Sequence, residues 1–127
     1  MKDRELFAMA QEILPKAYAP FSKFRVGAAL LTKSGEVFTG VNVENSSYGA
    51  TICAERTAFV KAVSEGHREF EAIAVATDEG EALPCGICRQ FMFEFGGDLR
   101  IITSEDGNHL NIHTLKELLP GGFKLNQ

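Results

Sequence analysis

Ala72-Ile73-Ala74-Val75-Ala76-Thr77, then Cys88-Arg89-Gln90-Phe91-Met92-Phe93-Glu94-Phe95, then Leu99-Arg100-Ile101-Ile102-Thr103 read in order as strand, helix and strand. The two outer runs are short and apolar, bounded by turn residues, as core strands are. Gly80 and Pro84 interrupt the chain after the first run, and Gly96-Gly97 close the helix. Two strands joined through a helix imply a crossover, with parallel pairing and the helix packed on one face.

The pattern extends outward from this unit. Residues 4–19 carry apolar positions at 6, 7, 9, 10, 13, 14 and 17, a helical period that Pro15 should kink or end in its last turn. Residues 18–22 read as a loop. Residues 24–31 and 36–42 are β-rich and flank Ser34-Gly35, which reads as a hairpin turn. Residues 42–50 are polar and irregular, residues 51–65 return to helical spacing, and Gly66 supplies the stop. Asp106-Gly107 is a turn, and residues 114–119 form a short helix before Pro120. This order predicts an α/β protein of three layers, α/β/α, with a single mixed β-sheet flanked by helices.

A chain of 127 residues fits one domain spanning 1–127. Its 45% hydrophobic and 24% charged composition is that of a globular protein. With a formal net charge of −4 and no two adjacent basic residues, it lacks an evident basic face for a nucleic-acid polymer. The start, Met1-Lys2-Asp3-Arg4-Glu5, does not read as a secretory signal. The apolar run 26–31 is far shorter than the roughly 20 residues that span a bilayer. A cytoplasmic protein with no membrane partner is expected.

The three cysteines, Cys53, Cys85 and Cys88, are an odd number for a disulfide framework. Cys53-Ala54-Glu55 and Pro84-Cys85-Gly86-Ile87-Cys88 each fall at the predicted start of a helix. The free amides and positive dipole end there favour thiolates, the form that binds zinc. A fourth protein ligand would have to be His67, His109, His113 or a carboxylate. The histidines sit in no motif and read as surface or loop residues. An open fourth position, the catalytic arrangement of zinc, is therefore expected. Arg56, three residues after Cys53, lies on the same side of the helix and could donate to the sulfurs. Glu55 then stands where an acid/base group would serve the hydrolytic deamination of a ring, a role already described for zinc deaminases as a class.

Together with Arg89-Gln90, these two motifs resemble the small zinc-dependent cytidine deaminase family. Residues 18–30, Tyr18-Ala19-Pro20-Phe21-Ser22-Lys23-Phe24-Arg25-Val26-Gly27-Ala28-Ala29-Leu30, are similar to its N-terminal signature. Gly40-Val41-Asn42-Val43-Glu44-Asn45 is similar to its ribose-binding segment, and Glu117-Leu118-Leu119-Pro120-Gly121 to its C-terminal one. The resemblance implies a cytidine deaminase-like fold with one Zn²⁺ per subunit on Cys53, Cys85 and Cys88. It implies conversion of cytidine and deoxycytidine to uridine and deoxyuridine, in pyrimidine salvage, by zinc-activated hydroxide with Glu55 shuttling protons. It places Phe24 near the pyrimidine, Asn42 and Glu44 on the ribose 3′-hydroxyl, and the Ala54 backbone at the base. It also brings Tyr48 and Phe123 from neighbouring subunits of a homotetramer. Ser46, Phe21 and Thr51-Ile52 depart from common family residues without touching the catalytic set.

Three other readings stay open on the sequence. A blasticidin S-type or other small-molecule zinc aminohydrolase shares the cysteine motifs, and Glu44 is the feature that argues for a ribose. A deaminase of nucleotides or polynucleotides is opposed by the acidic balance. A zinc-stabilised binding module would use Glu55 as fourth ligand.

Overall fold

The computed structural model describes residues 1–125. The expected domain over 1–127 ends in Asn126 and Gln127, which lie outside the described residues. The chain runs α1 (Asp3–Glu12), β1 (Val26–Thr32), β2 (Val37–Val41), α2 (Ala54–Ser64), β3 (Phe70–Thr77) and α3 (Gly86–Phe93). It continues through β4 (Arg100–Ser104), β5 (Leu110–Thr114) and α4 (Leu115–Leu118). The strands form one sheet in the order β2-β1-β3-β4-β5. Among the described strands only β3 and β4 pair in parallel, and these are the two runs joined through a helix. The β1–β2, β1–β3 and β4–β5 pairs are antiparallel, so the sheet is mixed.

Side chains alternate across a strand, and β3 shows what that does here. Ala72, Ala74 and Ala76 face one side, where they meet Leu6, Phe7 and Ala10 of α1. Ile73 and Val75 face the other, against Ala58, Phe59 and Ala62 of α2 and Met92 of α3. Small residues on one face and larger ones on the other admit a helix layer on each. The three-layer α/β/α architecture follows directly.

Two elements differ from the sequence reading. The first helix ends at Glu12, and Pro15 sits in a separate 3₁₀ turn, Leu14–Lys16. Proline fits the start of that turn because its missing N–H would be unpaired there anyway. The strand β5 has no counterpart among the predicted elements. It pairs with β4 across the Asp106-Gly107 turn, whose Asp106 Oδ1 accepts the N–H groups of Asn108 and His109.

Gly40 of β2 decides how closely α2 approaches the sheet. A Cβ there would lie 2.5 Å from both the Ala54 carbonyl oxygen and the Ala58 nitrogen, backbone atoms that cannot swing aside. Gly40→Ala should therefore displace the first turn of α2 and cost about 1–3 kcal/mol, as overpacking does. Chemical denaturation measures this; an unchanged midpoint would contradict it.

Candidate metal centre and substrate pocket

Both cysteine motifs lie at helix starts. Cys53 is the N-cap of α2 and Cys85 the N-cap of α3, with Cys88 inside the first turn of α3. The first turn of α2 is tied to the sheet by Thr57, whose hydroxyl lies 3.0 Å from the Val41 carbonyl. Arg89 holds the other motif: its Nε donates to the Pro84 carbonyl and its Nη1 to the Leu118 carbonyl, both at 2.7 Å. The loop preceding Cys85 is thus anchored to the end of α4.

These supports bring the three sulfurs within 4.8 Å of one another. The Cys53 and Cys85 sulfurs are 3.8 Å apart. Zinc–sulfur bonds of about 2.3 Å at tetrahedral angles would set sulfurs about 3.8 Å apart, so donor chemistry and spacing both fit the ion. Among the described residues no histidine or carboxylate joins the group. His67 meets Glu36 at 2.6 Å and His109 meets Asp106 at 2.9 Å, both far along the chain from the cysteines. His113 is a strand residue of β5, where a loop or surface position was expected.

Arg56 Nη2 donates to the Cys53 sulfur at 3.5 Å and to the Thr51 carbonyl at 3.4 Å. The Cys53 thiol is lowered to about 5, first by hydrogen bonding with Cys88 and then by Arg56 and Cys85. The same bond, with burial behind it, pushes the Cys88 thiol up. Glu55, in the first turn of α2, is only 4% exposed. Burial raises its carboxyl to about 7, with the Cys53 charge adding to the rise. A carboxyl so placed can hold or release a proton near neutral pH.

A pocket of about 250 Å³ opens beside the cysteines and is lined by Phe24, Asn42, Glu44, Ala54 and Glu55 among others. That is at or just below the small end of ligand sites, roughly 300–1,000 Å³. Residues 42–52 carry the segment across from β2 to the metal group. Val43 and Ile52 exchange two backbone hydrogen bonds of 2.9 Å, and Tyr18 brackets Asn42 and Glu44 through two more. The stretch expected to be irregular is therefore knitted to its neighbours.

Asn42 and Glu44 both serve the loop that carries Phe24. Asn42 Oδ1 accepts the Val26 N–H at 2.9 Å and its Nδ2 donates to the Phe24 carbonyl at 2.8 Å. Glu44 Oε1 accepts the N–H groups of Phe21 and Ser22 at 2.9 and 3.1 Å, and the Ser22 hydroxyl donates to Oε2. These donors, the Ser22 hydroxyl foremost, hold the Glu44 carboxyl below the usual range. A lowered folded pKa contributes stability that is fully present above the ordinary glutamate value of about 4.3 and is lost as pH falls through the folded one. Amide exchange at Phe21 and Ser22 should accordingly stay slow at neutral pH and accelerate below that range. Equal exchange rates at neutral and acid pH, after correction for intrinsic exchange, would contradict the clamp.

Tyr48 and Phe123 do not line this pocket. Tyr48 is 75% exposed beside Phe21, and Phe123 is 63% exposed against Gln90 and Phe91. Ser22, Thr51 and Arg89 belong to the site or its supports but were not singled out by sequence. Ser22 and Arg89 fall within recognised motifs, which is the only signal that pointed to them.

Thiols capped on two helix starts, over a mixed sheet and beside a buried carboxyl, define a zinc-binding α/β/α protein with a small-molecule pocket. The family described as the cytidine and deoxycytidylate deaminase zinc-binding region matches residues 1–104. The chain belongs to that family. It is 53% identical over 116 residues to a probable cytidine deaminase of Dictyostelium discoideum, covering 90% of this chain and 78% of the relative. The crystal structure of cytidine deaminase from Burkholderia pseudomallei superposes with a TM-score of 0.92 at 45% identity, over 97% of this chain and all of that one. A blasticidin-S deaminase of Bacillus cereus is 32% identical over 128 residues, covering 94% of this chain and 90% of its own.

Proposed function

We propose that this chain, as one domain over residues 1–127, hydrolyses cytidine and deoxycytidine to uridine and deoxyuridine with release of ammonia. The single observation that carries the reading is the grouping of three thiols beside one pocket that buried Glu55, Asn42 and Glu44 all line. A catalytic zinc has three protein ligands and an open position, and Cys53, Cys85 and Cys88 would supply those three. When bound, zinc makes a water acidic enough to act as nucleophile near neutral pH.

The protein's own groups do the remaining work. Glu55 takes a proton from the attacking water and passes it to N3 of the pyrimidine. It then takes the remaining proton from the oxygen added at C4 and delivers it to the amino nitrogen as the C4–N bond breaks, so that cytidine and water become uridine and ammonia. Arg56 offsets the charge of the thiolates through its bond to Cys53. Phe24 covers the base, the Ala54 backbone meets its edge, and Asn42 with Glu44 receives the ribose 3′-hydroxyl. A hydroxyl, and not a phosphate, suits a carboxylate there.

The exposure of Tyr48 and Phe123 supports a homotetramer in which neighbouring subunits bring both to the pocket. Among the described residues no helix is long and apolar enough to cross a membrane. The proposal extends to a cytoplasmic enzyme of pyrimidine salvage acting on free nucleosides.

The 32% identical blasticidin-S deaminase keeps a second reading in view. A panel of cytidine, deoxycytidine, cytosine, cytidine monophosphate and blasticidin S, assayed for ammonia with zinc-loaded protein, separates the two. Turnover is expected for the two nucleosides only. Preference for blasticidin S over both nucleosides would overturn the assignment.

A further inference from the structure

Ser22 has a bonding pattern that leaves it no freedom of direction. A hydroxyl has one proton and two lone pairs. One lone pair accepts the Phe24 N–H at 3.0 Å, and the proton goes to Glu44 Oε2, because an ionised carboxylate can only accept. On the carboxylate, Oε1 is engaged by two N–H groups, from Phe21 and Ser22. Oε2 has accepted the Ser22 hydroxyl and keeps acceptor capacity to spare. Both side chains line the pocket that contains Glu55.

The backbone adds an independent sign that this turn is held in place. Lys23, between Ser22 and Phe24, has φ 62, in the left-handed region that L-residues avoid. Such conformations persist only where the surroundings over-determine them. Here the Lys23 N–H reaches the Ala19 carbonyl at 3.1 Å, while Ser22 bonds on both sides of the strained residue.

We infer that Ser22 is a positioning residue for substrate recognition: its hydroxyl holds the Glu44 carboxylate, acceptor-only because it is ionised, in the orientation that receives a donor hydroxyl of the sugar. Carbonyls, ethers and phosphoryl oxygens have no proton to offer this carboxylate. The inference rests on the nucleoside reading and refines it, since Ser22 acts on the substrate through Glu44.

The test compares wild type, Ser22→Ala and Ser22→Thr on cytidine and 3′-deoxycytidine, with zinc content measured for each. Ser22→Ala should raise the KM for cytidine about tenfold or more, the effect of disturbing a hydrogen bond to a charged group, while kcat changes little. On 3′-deoxycytidine, which lacks the donor, wild type and Ser22→Ala should have nearly equal kcat/KM. Ser22→Thr keeps a hydroxyl and should restore the low KM for cytidine. Equal loss on both substrates, or loss confined to kcat, would overturn the role of Ser22 while leaving the nucleoside reading intact. No turnover of cytidine by zinc-loaded wild type would defeat that reading and this inference with it.

Discussion

Glu55→Gln leaves the fold and the bound zinc in place and lowers turnover of cytidine by roughly 10²–10⁴-fold, the usual contribution of a general acid–base group. The substitution keeps the size of a side chain that is 4% exposed and does not belong to the three-thiol group. A glutamine cannot carry a proton from water to a ring nitrogen or an amino group, so chemistry should stop while binding survives. Substrate should still bind, because Phe24, Asn42 and Glu44 are untouched. Metal analysis and thermal unfolding of the variant complete the experiment. If zinc is lost and the protein unfolds, Glu55 is a structural ligand and the binding-module reading gains.

The second large effect comes from the cysteines, whose burial differs. Cys85 is exposed and Cys88 is buried at 0% exposure among Ala54, Phe59 and Met92. Replacing either by alanine should weaken zinc binding by more than the roughly 10–100-fold that follows loss of a mere outer partner. Activity should become undetectable in both. Their metal-free forms should part ways: Cys88→Ala loses packed volume and costs about 1 kcal/mol, while Cys85→Ala stays within about 0.5 kcal/mol of wild type. Chelation should lower the unfolding temperature of wild type, which binds zinc in its native state, and leave both variants nearly unchanged. Full zinc occupancy in either variant would contradict the three-thiol site.

The chemistry of the centre was legible because it is local. Cys85 and Cys88 share one turn, Cys53 and Glu55 share another, and each motif sits at a helix start that composition alone exposes. The β3–α3–β4 unit was equally plain, since Ala72–Thr77 is apolar on both faces and must be buried on both. The strand β5 was not, because Asn111 and His113 present no apolar face and Ile112 is left exposed at the sheet edge. Leu110 and Ile112 do alternate with Asn111 and His113, but with so short a run it is pairing with β4 through backbone groups that makes it a strand.

The uses of Asn42 and Glu44 were hidden for a related reason. Their partners are backbone groups of Phe21, Ser22, Phe24 and Val26, distant in sequence and indistinguishable by residue type. Arg89 likewise grips two carbonyls, which any residues would provide. Motif resemblance could mark these positions, and only the fold says what they touch.

Deamination of a free nucleoside by the three thiols and Glu55 together is open to one direct measurement. Wild-type protein carrying one zinc per chain is incubated with cytidine, and uridine and ammonia are measured together. One of each is expected per cytidine consumed, lost on chelation and restored by zinc. Fully zinc-loaded, folded protein that releases no ammonia from cytidine or deoxycytidine would contradict it.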